Sequence, residues 1–214
     1  MNDRIKEILN GLVKRFPALE TTQQDIIHAF YLLEECYKND GKLLIAGNGG
    51  SATDAEHIAG ELMKRFKKPR RLSASLKKKL ISIDQVLGNN LATNLEESLT
   101  AIPLVAHEAI TTAYMNDVDA TGVFAQQLLG FGRKNDIFLA ISTSGNSQNI
   151  LAAAVVAKAL DMKVIGLTGA TGGKLVEYCD VCIKAPAKET YMIQELHLPI
   201  YHCICMMLEE RFFE

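Results

Sequence analysis

KLLIAGNGGS, residues 42–51, is the stretch on which the fold class turns. A short apolar run that stops on Gly47-Asn48-Gly49-Gly50-Ser51 reads as a buried strand feeding a glycine-rich turn. A helix should follow over residues 52–66, because Ala55, Ile58, Ala59 and Leu62 recur at helical spacing. The same pattern returns at 136–147, DIFLAISTSGNS, with a helix running on to residue 160. It returns again at 162–173, MKVIGLTGATGG, with a helix to residue 178, and a fourth strand is expected at 181–184. A long helix over 190–212 closes the chain. Strands alternating with helices predict an α/β three-layer sandwich, a central parallel sheet with helices on both faces.

Outward from that frame, residues 3–15 and 21–38 read as two added helices. Ile5, Ile8, Leu9 and Leu12 share one face, and so do Ile26, Phe30, Leu33 and Cys36. Thr21 and Thr22 supply N-cap chemistry for the second helix. Residues 101–115 read as helix or strand-then-helix, and 121–129 as helix. Residues 67–100 read as an insertion within the domain, two short helical pieces in a surface excursion. No linker splits the chain, so 1–214 is expected to be one domain, with 1–40 as its N-terminal helices.

The 214 residues, 48% hydrophobic and 22% charged, suffice for a buried core without disulfide or metal. A net charge of -2 offers nothing to nucleic acid. The basic run Lys67, Lys68, Arg70, Arg71 and Lys77–Lys79 has no interleaved aromatics to stack bases, so it reads as a solvated face. No apolar run approaches the ~20 residues of a membrane helix. The charged opening MNDRIKEILNGLVKRF lacks a signal-peptide core, and a cytoplasmic protein is expected. An odd number of cysteines suits a reducing compartment. Cys179 and Cys182 form a C-x-x-C but read as buried small apolar residues.

The chemistry gathers at strand ends. Gly47–Ser51 and Ser142–Ser147 are turns that open helices, and ligands of open parallel sheets bind at the carboxyl ends of strands. A helix N-terminus there presents free N–H groups and partial positive charge, which suits an anion. The hydroxyls of Ser142, Thr143, Ser144 and Ser147 favour a phosphate held without lysine. Neither turn is a Walker loop or a dinucleotide fingerprint. His57 and Glu61 lie four apart on one helix face, half of a possible metal site. Gln194, Glu195, His197 and His202 stand on the apolar closing helix.

These residues together resemble the phosphoheptose isomerase family of the sugar isomerase (SIS) superfamily, whose fold is flavodoxin-like. The resemblance is carried by Ala46-Gly-Asn-Gly-Gly-Ser-Ala52, His57-x-x-x-Glu61-x-x-x-Arg65, Asn116-Asp117, Ile141-Ser-Thr-Ser-Gly-Asn-Ser147, Leu167-Thr-Gly169 and Ile193-Gln-Glu-x-His197 followed by His202. It implies interconversion of sedoheptulose 7-phosphate and D-glycero-D-manno-heptose 7-phosphate. It implies a homotetramer with active sites between subunits, and one zinc ion per subunit on His57, Glu61, Gln194 and His202. Substrate contacts fall on Asn48, Gly49, Gly50, Ser51, Glu61, Asn116, Asp117, Ser142, Thr143, Ser144, Ser147 and Gln194, with Arg65 and Gln127 fitting the pattern around the site.

Aldose–ketose isomerisation needs a base, a second acid/base group and an electrophile for the developing enediolate. Glu61 as base, His202 as acid and Zn²⁺ at the oxygens supply all three. A zinc-bound carboxylate is a poorer base, so either Glu61 alternates roles or the metal is partly structural. Two features depart from the family: a longer stretch between Arg65 and Asn116, and Met192 where relatives often carry arginine. They keep open an isomerase of another sugar phosphate. A non-catalytic SIS protein of the replication-initiator-associating kind would lack Glu61 and His202. Gln194 and His202 are eight residues apart, about 12 Å along a straight helix. Either Pro199 bends the helix or ligands come from different copies, so a homo-oligomer is expected.

Overall fold

The computed structural model describes residues 1–213. Helices α1 (Asp3–Arg15) and α2 (Gln23–Lys38) lead. Then come β1 (Leu43–Ala46), α3 (Gly50–Met63), α4 (Ala74–Ile83), α5 (Gln85–Asn94), β2 (Ala101–Pro103), α6 (Glu108–Asp117) and α7 (Val123–Phe131). The second half holds β3 (Ile137–Ser142), α8 (Gln148–Ala159), β4 (Lys163–Thr168), β5 (Val181–Lys184) and α9 (Thr190–Phe212). All strand pairings within the sheet are parallel, in the order β2-β1-β3-β4-β5.

Side chains alternate across the sheet with the period of two that strands impose. Leu43 and Ile45 of β1 and Ile137, Leu139 and Ile141 of β3 face a core closed by α1, α2, α3 and α9. Leu44, Ala46, Phe138 and Ala140 face the opposite core, closed by α7 and α8. This is the expected three-layer sandwich. The two leading helices find their place on it: α1 lies along α9, and α2 lies against α9 and β5.

The strand order was not legible beforehand, and it matters most. From β1 the chain crosses to the edge strand β2, then returns past β1 to β3. The connections thus diverge between β1 and β3, the place where open α/β sheets bind ligands. The turns after β1 and β3 are the two serine- and glycine-rich ones. Strand β2 resolves the ambiguity at residues 101–115 as strand, then helix. It is three residues long and ends on Pro103, which an edge strand tolerates because its missing N–H interrupts no inner ladder.

Some boundaries differ from expectation. Helix α3 begins at Gly50 and stops at Met63. Its last carbonyls are taken elsewhere: the Arg70 guanidinium donates to the carbonyls of Leu62 (2.5 Å) and Glu61 (2.9 Å). Residues Gly173–Tyr178 form a short 3₁₀ turn instead of an α-helix. The N–H of Leu175 is bound by the Gly145 carbonyl and that of Lys174 by Asn146 Oδ1, which ties this turn to the preceding loop.

The basic run is mostly solvated, as Arg71, Lys78 and Lys79 are exposed. Arg70 corrects that expectation. It is 1% exposed, pairs with Glu209 on α9 and lies 4.5 Å from the Phe213 ring centre. Cys36, Cys203 and Cys205 are buried; Cys179 and Cys182 are half-buried against Gly166, where an added Cβ would meet both sulfurs. Among the described residues, no helix is long and apolar enough to cross a membrane.

Candidate functional site

Two turns sit side by side at the carboxyl ends of β1 and β3. Helix α3 opens at Gly50, with Gly49 before it at φ +56°. Ser51 is buried at the start of α3. In the first turns, the N–H groups of Ser51 and Ala52 bond back to the Asn48 and Gly49 carbonyls and that of Ile150 to Ser147, which leaves the N–H groups of Gly50, Gln148 and Asn149 as the donors at this edge. Across the gap, Asn48 and Asn149 exchange a reciprocal pair of amide hydrogen bonds, 3.0 and 2.9 Å. That pair joins the turns to each other. Asn149 went unnoticed in the sequence, although it stands in the first turn of a helix opened by a serine-rich loop.

The second turn is folded on its own hydroxyls. Ser142 Oγ and Ser147 Oγ are 3.1 Å apart. Ser144 Oγ accepts the N–H of Asn146 at 3.1 Å, which leaves its own proton free to donate to an anion. Gly145 is obligatory: its φ is +66°, and a Cβ there would stand 2.0 Å from the Gly172 carbonyl oxygen. The Thr143 carbonyl accepts the N–H of Gly169, which anchors this turn to the end of β4.

Further along α3 a second cluster forms against α9. Glu61 Oε1 is 3.2 Å from His57 Nε2. His57 Nε2 is 3.4 Å from His202 Nε2. On the far side of the His57 ring, Tyr201 Oη lies 3.0 Å from Nδ1 and donates to Asp54 Oδ1 at 3.1 Å. Burial pushes the Asp54 carboxyl up, partly opposed by its bond from Tyr201. Burial, with His57 beside it, holds His202 below the ordinary histidine value. Glu61 Oε2 is buried with no hydrogen-bond partner, its nearest cation being Lys64 Nζ at 4.0 Å. Asp54 and Tyr201 were not singled out in the sequence. Asp54 had a signal, its place three residues before His57 on one helix face; Tyr201 had none beyond adjacency to His202.

The cluster has the donor chemistry of a zinc site. Ligand atoms ~2 Å from a tetrahedral zinc stand ~3.3 Å apart, close to the two spacings seen here. A buried carboxylate oxygen without a partner is what such a cation satisfies. Among the described residues, however, no three His, Cys, Asp or Glu side chains converge as a ready cage. The donors are chained, His202 to His57 to Glu61, and do not yet close on one point.

The structure does not bring Gln194 into this group. Its amide packs on Gly50, where an added Cβ would lie 2.7 Å from Nε2. Gly50 and His57 are seven residues apart, about 10 Å along α3. Helix α9 continues through Pro199, and Gln194 stays on Gly50. Gln194 therefore belongs to the turn end of α3 within its own chain.

The remaining candidates are dispersed. Arg65 is exposed and pairs with Glu96 at 3.5 Å. Asn116 and Asp117 end α6, hydrogen-bonded to each other at 2.8 Å. Gln127 is buried, its Oε1 3.0 Å from His107 Nδ1, and it fixes α6 against α7. Glu195 is exposed. His197 is structural: it is buried, its Nε2 meets the Thr168 carbonyl at 3.1 Å, and burial lowers its pKa to about 4.

A family model for the SIS domain matches residues 9–80 and 91–169. The chain is similar to a phosphoheptose isomerase of Aneurinibacillus thermoaerophilus, 42% identical over 179 residues, covering 84% of this chain and 77% of that relative. It is 40% identical to a phosphoheptose isomerase of a Nitratiruptor species, over 97% of each chain. Among solved structures, a phosphoheptose isomerase from Francisella tularensis matches with a TM-score of 0.75 and 30% identity, over 98% of this chain and 100% of its own.

Proposed function

The chain belongs to the SIS domain family, among its phosphoheptose isomerases, and from that premise we propose that it interconverts sedoheptulose 7-phosphate and D-glycero-D-manno-heptose 7-phosphate. That it is a sugar-phosphate isomerase follows from the family itself. One observation carries the acid–base reading: Glu61 stands 3.2 Å from His57 in a seam that also holds His202, and its buried Oε2 has no hydrogen-bond partner, only Lys64 Nζ at 4.0 Å.

The phosphate docks at the turn end, on the α3 and α8 N-termini and the hydroxyls of Ser51, Ser142, Ser144 and Ser147. Asn48, Gly49, Gly50 and Thr143 line the same turns. The reacting carbons lie at the other end of the sugar and are served by the Glu61–His202 seam. Glu61 takes the proton from C1 of the ketose, and the electron pair forms the C1–C2 double bond of an enediolate. His202 moves the proton between O2 and O1. Return of the carbon proton to C2 yields the aldose, so no redox partner is consumed. His57, Glu61 and His202, with Gln194 from a second copy, are the residues that would hold a zinc ion, which would supply positive charge to stabilise the developing oxyanion. Arg65, Asn116 and Asp117 reach substrate across a subunit boundary in this reading, and the assembly is a homotetramer. The displacement of Gln194 from the seam of its own chain supports that sharing.

Turnover of sedoheptulose 7-phosphate beside pentose and hexose ketose phosphates tests the substrate. The heptose should give the highest kcat/KM; a shorter ketose phosphate turned over faster contradicts it. Light scattering should give four times the chain mass, and a fully active monomer overturns the shared site.

A further inference from the structure

His57 is gripped from behind by two side chains that play no part in the proton transfers above. Tyr201 is 2% exposed, and its hydroxyl stands between Asp54 Oδ1 at 3.1 Å and His57 Nδ1 at 3.0 Å. A tyrosine hydroxyl has one proton to give and lone pairs to accept with; an ionised carboxylate only accepts. Asp54 Oδ2 is already buried without a partner. If the Tyr201 proton turned to His57, both Asp54 oxygens would be left unmet, and unmet buried acceptors are costly. The proton therefore goes to Asp54, and His57 Nδ1–H donates to the tyrosine oxygen. A neutral imidazole carries a single N–H. Nε2 is then a bare lone pair facing Glu61 Oε1 and His202 Nε2; both Glu61 oxygens are left without a hydrogen-bond donor, which a cation in the shared space relieves.

We infer that Asp54 and Tyr201 are positioning residues that hold His57 as its Nδ1–H tautomer and so preset Nε2 as a zinc ligand. The inference rests on the zinc reading proposed above, because three facing lone-pair donors are useful to a cation. Partners behind a ligating histidine fix its tautomer and ring orientation and raise its basicity. Here the chain of contacts is long in sequence, since Asp54 and Tyr201 are 147 residues apart. The tyrosine ring also packs edge-on to the His57 ring, centroids 5.5 Å apart at 74°, which limits rotation of the imidazole.

The test uses the metal-free full chain and zinc alone. Long-range ¹⁵N–¹H correlation spectra should show the wild-type His57 proton on Nδ1. Tyr201→Phe keeps the ring and removes the hydroxyl. It should shift His57 toward the Nε2–H form and weaken zinc binding, measured against a chromophoric chelator, by about 10–100-fold. Asp54→Asn is the second variant and should move the tautomer in the same direction. A wild-type protein with the proton on Nε2, or variants that keep both tautomer and affinity, overturns the inference while leaving the zinc reading intact. A wild-type protein that binds no zinc overturns the zinc reading and the metal role with it, and the tautomer spectrum still decides the hydrogen-bond chain by itself.

Discussion

The two ends of helix α3 are held by opposite means. Its N-terminal end opens on a turn of small residues, Gly47–Ser51, joined to the neighbouring turn by the exposed Asn48–Asn149 amide pair. Its C-terminal end is closed by a buried ion pair. Glu209 accepts the N–H groups of Phe66, Lys67 and Lys68, and pairs with Arg70, which in turn caps the Glu61 and Leu62 carbonyls. The first end offers loosely engaged donors to a ligand. The second spends its polar groups internally, and so fixes Glu61 on α3 against His202 on α9. In the proposed function, substrate capture is therefore built from backbone and short side chains, whereas the proposed reacting groups are positioned by contacts between distant parts of the chain.

The largest expected effect breaks the chemical end. Glu61→Gln should lower kcat by about 10²–10⁴-fold with the fold retained, because an amide cannot accept the carbon proton. Steady-state rates beside a thermal melt check this; near-normal kcat would move the base elsewhere. Next comes the clamp. Arg70→Met leaves Glu209 buried without its cation and should cost about 3–5 kcal/mol in denaturant unfolding. A loss below about 1 kcal/mol would show that the backbone N–H groups alone hold Glu209.

The turn end should respond differently. Ser144→Ala removes one hydrogen bond to a charged phosphate, about 1.5–3 kcal/mol, and should appear mainly in KM. A fall in kcat without a change in KM would contradict the division between the two ends. The smallest effect is acid sensitivity at the clamp. Burial raises the Glu209 carboxyl, but the N–H groups of Phe66 and Lys67 and the Arg70 guanidinium outweigh it and hold the group below its ordinary value. A depressed folded-state pKa stabilises the fold above the unfolded value and loses that contribution as pH falls toward the folded one. Unfolding free energy should therefore decline below about pH 4.5, near the ordinary glutamate value, and Glu209→Gln should flatten that decline. An unchanged slope in the variant refutes the assignment.

The same contrast explains what was legible in the sequence. Strands β1, β3, β4 and β5 and both turns announce themselves through adjacent residues: an apolar run, then glycine, serine and asparagine. His57 and Glu61 were legible because helical spacing puts i and i+4 on one face. Arg70 was not. A basic run gives no local sign that one member pairs with a glutamate 139 positions away. Tyr201 was hidden for the same reason. His197 and His202 look alike on one helix in sequence, and burial separates the core residue from the other. Gln194 shows the limit of motif spacing: it belongs to the right motif, yet within its own chain it packs at the turn end of α3.

In the proposed mechanism both ends of α3 serve one substrate, phosphate at the turns and reacting carbons at the Glu61–His202 seam. The most direct measurement compares kcat/KM for sedoheptulose 7-phosphate and for unphosphorylated sedoheptulose on the same preparation. Loss of the phosphate should lower kcat/KM by at least about tenfold, equivalent to about 1.4 kcal/mol of binding. Equal kcat/KM for the two sugars would contradict it.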